Sequence, residues 1–122
     1  MRLCGSKSLH QGVQQTNTFF DRASFFELKY AKPEDLVSVN YMKGEAHFLR
    51  ALYYFYLECF FGEAYITGGK GGDQLGVPLF SKTPQTLDST QVARSTVRET
   101  WDFIINDLNQ AVTLLNGVQW PT

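Results

Sequence analysis

Apolar residues recur along this chain at helical spacing, in blocks separated by stretches containing Gly and Pro. From about Gly12, the residues Val13, Thr16, Phe20 and Ala23 share one helical face, with Phe19 and Phe26 beside it. The pattern predicts a first helix over about 13–29. The residues before it are polar and include Gly5, and they read as a loose terminus. Pro33, Glu34 and Asp35 then supply a start signal, because Pro suits the first helical position and acids suit the first turn. Regular helix is expected from there or from near Tyr41, and the second helix is placed at about 34–61. It carries two apolar stripes. One is Ala46, Leu49, Tyr53, Leu57 and Phe60, and the other is Phe48, Leu52, Phe55 and Cys59. A helix apolar on most sides is normally buried on most sides. Gly62 is its natural stop.

Residues 62–95 break the helical pattern. Gly68, Gly69, Gly71 and Gly72 crowd together, and Gly76-Val77-Pro78-Leu79-Phe80 reads as a short extended segment, since Pro78 disfavours helix at Val77. So long a loop in a small domain is usually functional or held by other structure. A third helix is expected over about 96–116. Thr96 and Glu99 fit a capping box. Val97, Trp101, Ile104, Ile105, Leu108, Ala111, Val112 and Leu115 give it an apolar face, and Asn116-Gly117 ends it. The expected fold class is mainly α, with tetratricopeptide-like helical hairpins and a long Gly/Pro-containing loop.

Composition narrows the possibilities. The chain of 122 residues suits one small domain. Ten Phe, six Tyr and two Trp are a heavy aromatic load for that length, which suggests faces that pack against something larger. The net charge of −1 comes with no Lys/Arg run, so no basic patch for nucleic acid is expected. No run reaches the roughly 18 apolar residues of a membrane span. The two cysteines, Cys4 and Cys59, do not make a disulfide framework. Cys59 reads as a buried small hydrophobe. Leu3-Cys4-Gly5-Ser6 has some likeness to a lipoprotein cleavage site, without the apolar region that a secretory signal needs before it.

The candidate chemistry is sparse. Arg50 and Glu45 lie five apart, a poor spacing for a direct pair on one face, so each is expected to bond to a neighbouring helix or loop. His10 and His47 sit in no cluster of metal ligands, and neither metal nor cofactor is expected. Glu99, Asp102 and Asp107 share the last helix; they are read as solvated, or in the case of Asp107 as tied to Arg94 or another helix. No paired-acid arrangement for glycoside hydrolysis can be argued from them. There is no Gly-x-Ser-x-Gly elbow, and Lys70 is misplaced for a phosphate loop at Gly68–Gly72. Tyr54, Tyr65 and Trp120 are candidates for stacking on a sugar; packing on a neighbouring helix is an equal alternative for Tyr54, and packing against other protein is the simpler account of Tyr65 and Trp120.

The run Gly44-Glu45-Ala46-His47-Phe48-Leu49-Arg50-Ala51-Leu52-Tyr53-Tyr54-Phe55 resembles a signature of the SusD/RagB family, a Gly/Ala-Glu-Ala-x-Phe-Leu-Arg-Ala segment with an aromatic helix and a Phe-Gly stop, here Phe61-Gly62. Further resemblances follow in order: Asn17, Gly76-Val77-Pro78-Leu79, Arg94-Ser95-Thr96-Val97 and Ile104-Ile105-Asn106-Asp107-Leu108. His47 stands where the family more often has Arg or Lys. The resemblance marks Asn17, Glu45, Phe48, Arg50, Gly62, Pro78, Arg94 and Asp107 as structural signature positions. It implies a partial chain covering the N-terminal helical region of such a protein. It also implies a surface lipoprotein of the outer membrane in Bacteroidetes-type bacteria, one that sits on a TonB-dependent SusC-like transporter and captures oligosaccharides or peptides. Such a protein binds and does not catalyse. The alternative is a free-standing tetratricopeptide-like module that binds a protein partner in a groove.

Overall fold

The computed structural model describes residues 3–62, 71, 73–80 and 94–117, with side chains from Ser8 onward. Three helices are present among them: α1 (Leu3–Lys29), α2 (Asp35–Phe61) and α3 (Val97–Leu115). The chain is mainly helical, as its periodicity predicts. α2 is the central element and packs against both α1 and α3.

Helix α1 starts earlier than its pattern suggests. The residues read as a loose terminus already form helix from Leu3. Leu9, one turn before Val13, packs against the core, and the His10 ring meets Phe80 edge-on at 6.5 Å. Tertiary contact therefore supplies what local propensity lacks. Pro33 lies in the turn before α2, outside the helix: Lys32 N–H donates to Asp35 Oδ2 at 3.0 Å, and Asp35 N–H donates to Lys32 O at 2.9 Å.

Burial on α2 keeps Ala46 and Leu57 of the expected stripes inside, at 7% and 0% exposed, and departs from them elsewhere. Arg50 and Glu58, the charges that interrupt the apolar run, are 8% and 3% exposed. Phe48, Leu49, Phe55 and Phe60 instead stand at 47%, 40%, 40% and 53%, and Cys59 is exposed. The core is built from Val13, Ala51, Tyr54, Leu57, Val77 and Ile104. The partners of Arg50, described below, let α2 turn that residue inward, and much of its apolar surface faces outward.

Residues 74–77 run beside the start of α3. Gly76 N–H donates to Ser95 O at 2.7 Å, Ser95 N–H to Val77 O at 3.2 Å, and Val97 N–H to Gln74 O at 2.7 Å, around an antiparallel bridge between Leu75 and Thr96. Gly76 is required for contact: a Cβ there would run into the Thr100 hydroxyl. Gly62 follows the same logic. Its backbone is extended, and a Cβ would strike the Glu58 carboxylate.

Candidate functional site

The face of α2 that turns inward carries His47, Arg50 and Tyr54, at helical spacing of three and four. α1 brings Asn17 and Phe20 to this face, and α3 brings Phe103 and Asp107. Arg50 holds Asp107 with a two-pronged grip. Its Nε donates to Oδ2 and its Nη2 to Oδ1, both at 2.7 Å. Nη1 donates to Asn17 Oδ1 at 2.9 Å. The Asn17 amide donates in turn to the Phe80 carbonyl at 2.9 Å. His47 Nδ1 lies 2.8 Å from Asp107 Oδ1. The guanidinium is also sandwiched between rings, 4.8 Å from the Phe20 centroid and 5.1 Å from that of Phe103. One buried clasp thus ties together all three helices and the extended segment.

Its electrostatics are those of a satisfied buried pair. Burial pushes the Asp107 carboxyl up. Hydrogen bonds from Arg50 and then His47, with their charge, outweigh that and hold it below the ordinary carboxylate value. Two-pronged Arg–carboxylate geometry is the strong form of such a bond. Removing one partner would leave a charge stranded in the core.

Tyr54 closes the clasp toward the extended segment. Its hydroxyl accepts from Phe80 N–H at 2.6 Å and lies 3.3 Å from Phe80 O, while its ring meets Phe103 edge-on at 5.1 Å. At 0% exposure the ring offers no face to a ligand, so the expectation of sugar stacking at Tyr54 is corrected: it is a core residue. Burial also raises its hydroxyl to about 12, against the opposing effects of the Phe80 backbone and Arg50. Tyr65, Trp120 and most of Gly68–Gly72 lie outside the described residues.

The remaining signature positions fall around this centre. Arg94 does not pair with Asp107. Its Nε donates to Gly76 O at 2.8 Å, and its Nη2 reaches Leu75 O at 3.2 Å and Phe61 O at 3.4 Å, joining the end of α2 to the extended segment. Pro78 is half-buried in that segment. Glu45 lies against the Tyr41 hydroxyl one turn earlier, on a different stripe of α2 from Arg50. Phe48 points outward.

The acids of α3 are spoken for or solvated. Glu99 and Thr96 form the capping box, with Glu99 N–H donating to Thr96 Oγ1 at 3.1 Å and Thr96 N–H to Glu99 Oε1 at 3.3 Å. Asp102 is exposed. Among the described residues no three His, Cys, Asp or Glu side chains come together as a metal site, and no helix is long and apolar enough to cross a membrane. Sequence reading misses the tie from His47 to Asp107. The only signal for it is that His47, Arg50 and Tyr54 share one helical face.

The fold and clasp define a helical-hairpin scaffold whose charged residues serve its own packing. A family model described as SusD-like, starch-binding and associating with the outer membrane matches residues 6–120, and the chain belongs to this SusD-like family. Two solved structures are similar to it. One is a Bacteroides vulgatus protein named for an inferred sugar-binding role, with 28% identity and a TM-score of 0.82 over 98% of this chain and 25% of that one. The other is a SusD superfamily protein from Bacteroides thetaiotaomicron, with 28% identity and a TM-score of 0.71 over 88% of this chain and 22% of that one. The chain therefore spans about a quarter of the length of these relatives. No curated protein matches it.

Proposed function

We propose that this chain is the helical scaffold of a non-catalytic glycan-capture protein at the outer membrane. The protein would be a surface lipoprotein that delivers oligosaccharide to a SusC-like TonB-dependent transporter. The match to a family described as starch-binding and outer-membrane associated, along residues 6–120, carries this reading. The chemistry of the chain agrees with it. Asp107, the most buried acid of α3, is fully engaged by Arg50 and His47, so it is not poised as a general acid or base.

The test is affinity electrophoresis of the purified chain through gels containing amylopectin, xylan or mannan, with chromatography of the same polysaccharides after long incubation. Retardation in at least one gel, with no shortened products, is the expected result. Reproducible cleavage would overturn the non-catalytic assignment, and free migration in every gel would overturn glycan capture.

A further inference from the structure

A different stripe of α2, carrying Glu45, Leu49 and Tyr53 at four-residue spacing, borders an open groove against α1. The groove has a volume of about 320 Å³, and Gln15 and Phe19 line its α1 side. None of these residues belongs to the clasp. The volume falls at the lower end of the roughly 300–1,000 Å³ occupied by small-molecule sites. Tyr53 is half-buried and anchored, since it packs against the core. Its ring lies on Gly12, where an added Cβ would come within 2.7 Å of the ring carbons. A glycine at 12 is what lets the ring settle against the α1 backbone.

Polar groups gather at this end of the groove. Gln15 is exposed and Glu45 half-buried, and both line the groove. Past Phe19 and Met42 the groove continues between Ala23, Phe26 and Val39, where almost all the lining is carbon and Arg22 is the one charged side chain. The two ends therefore suit different occupants. An amphipathic helix from another protein would need the carbon-lined end. A pyranose needs an aromatic surface for its apolar C–H face and a few acceptors and donors for its hydroxyls. An amide offers both donor and acceptor, and a carboxylate accepts from hydroxyls strongly.

We propose that the Gly12–Tyr53 end of this groove is a saccharide subsite for a neutral pyranose unit. Tyr53 and Phe19 take the sugar face, and Gln15 and Glu45 take its hydroxyls. The proposal rests on the glycan-capture reading above and adds the place where the chain itself touches sugar.

The experiment titrates the chain with maltohexaose, cellohexaose, xylohexaose and mannohexaose by calorimetry. It compares the unaltered chain with Gln15→Ala, Glu45→Gln and Phe26→Ala, each checked for an unchanged helical spectrum. Loss of one such hydrogen bond should weaken binding of the preferred saccharide about tenfold in Gln15→Ala and in Glu45→Gln. Phe26→Ala, at the carbon-lined end of the groove, should bind as the unaltered chain does. Tight saccharide binding that both rim variants retain would overturn the subsite and leave glycan capture standing. So would a loss as large in Phe26→Ala as at the rim, which would mark the carbon-lined end as the contact. Failure of the unaltered chain to bind any of the four would overturn both.

Discussion

Asp107 takes both prongs of Arg50 and a third contact from His47, and that places acid sensitivity at one residue. Its folded-state pKa lies below the ordinary value of 3.8, because the Arg50 and His47 contacts outweigh burial. A depressed carboxylate stabilises the fold fully above its unfolded value, and that contribution drains away as pH falls through the folded value. Denaturation followed by circular dichroism should therefore show stability falling below about pH 4, and Asp107→Asn should flatten that limb. Tyr54 sets the opposite edge. With its hydroxyl raised from 10.0 to about 12, the folded state holds a proton that the unfolded chain releases, so stability should fall between those values as pH rises. Absorbance of phenolate at alkaline pH, with Tyr54→Phe as the control, reads this directly. The residues of the clasp were legible singly. Asn17, Arg50 and Asp107 stand out as signature positions. Their pairing was not legible, because Arg50 and Asp107 lie 57 residues apart and helical periodicity says nothing about which helix comes alongside which.

Local chemistry and tertiary packing divide the work at the level of elements. The start of α3 is written locally, and the reciprocal Thr96–Glu99 bonds are present as the sequence suggests. Thr96→Ala should cost about 1 kcal/mol in chemical denaturation, the ordinary worth of an N-cap. The beginning of α1 is not written locally, because its helix rests on Leu9 and His10 reaching the core and Phe80. The stripes of α2 hold at Ala46 and Leu57 and fail elsewhere for a related reason. Hydropathy ranks Arg50 and Glu58 as outward residues, whereas two-pronged pairing and ring contacts make Arg50 an inward one. Gly62 ends α2 as expected, though through a lack of room beside Glu58 and not through a left-handed backbone.

At the scale of the whole molecule, the described residues leave many large apolar side chains exposed. Phe55 meets Trp101 across α2 and α3 at 5.8 Å, and Ile105 and Val112 of α3 stand 51% and 69% exposed. Exposed apolar side chains in such number suit contact with other protein or ligand. The chain should enhance the fluorescence of a hydrophobic dye, and a Phe55→Ser/Ile105→Ser pair should lower that signal while keeping the helical spectrum. The aromatic load of the composition pointed to such faces, but which residues would form them depended on the inward turn of Arg50. The central claim is that the signature charges hold the scaffold together and do not act on sugar. Its most direct test measures stability and saccharide retention together in Asp107→Asn. A loss of about 3 kcal/mol or more, with retention per folded molecule unchanged, is the predicted result. Unchanged stability with retention abolished would contradict it.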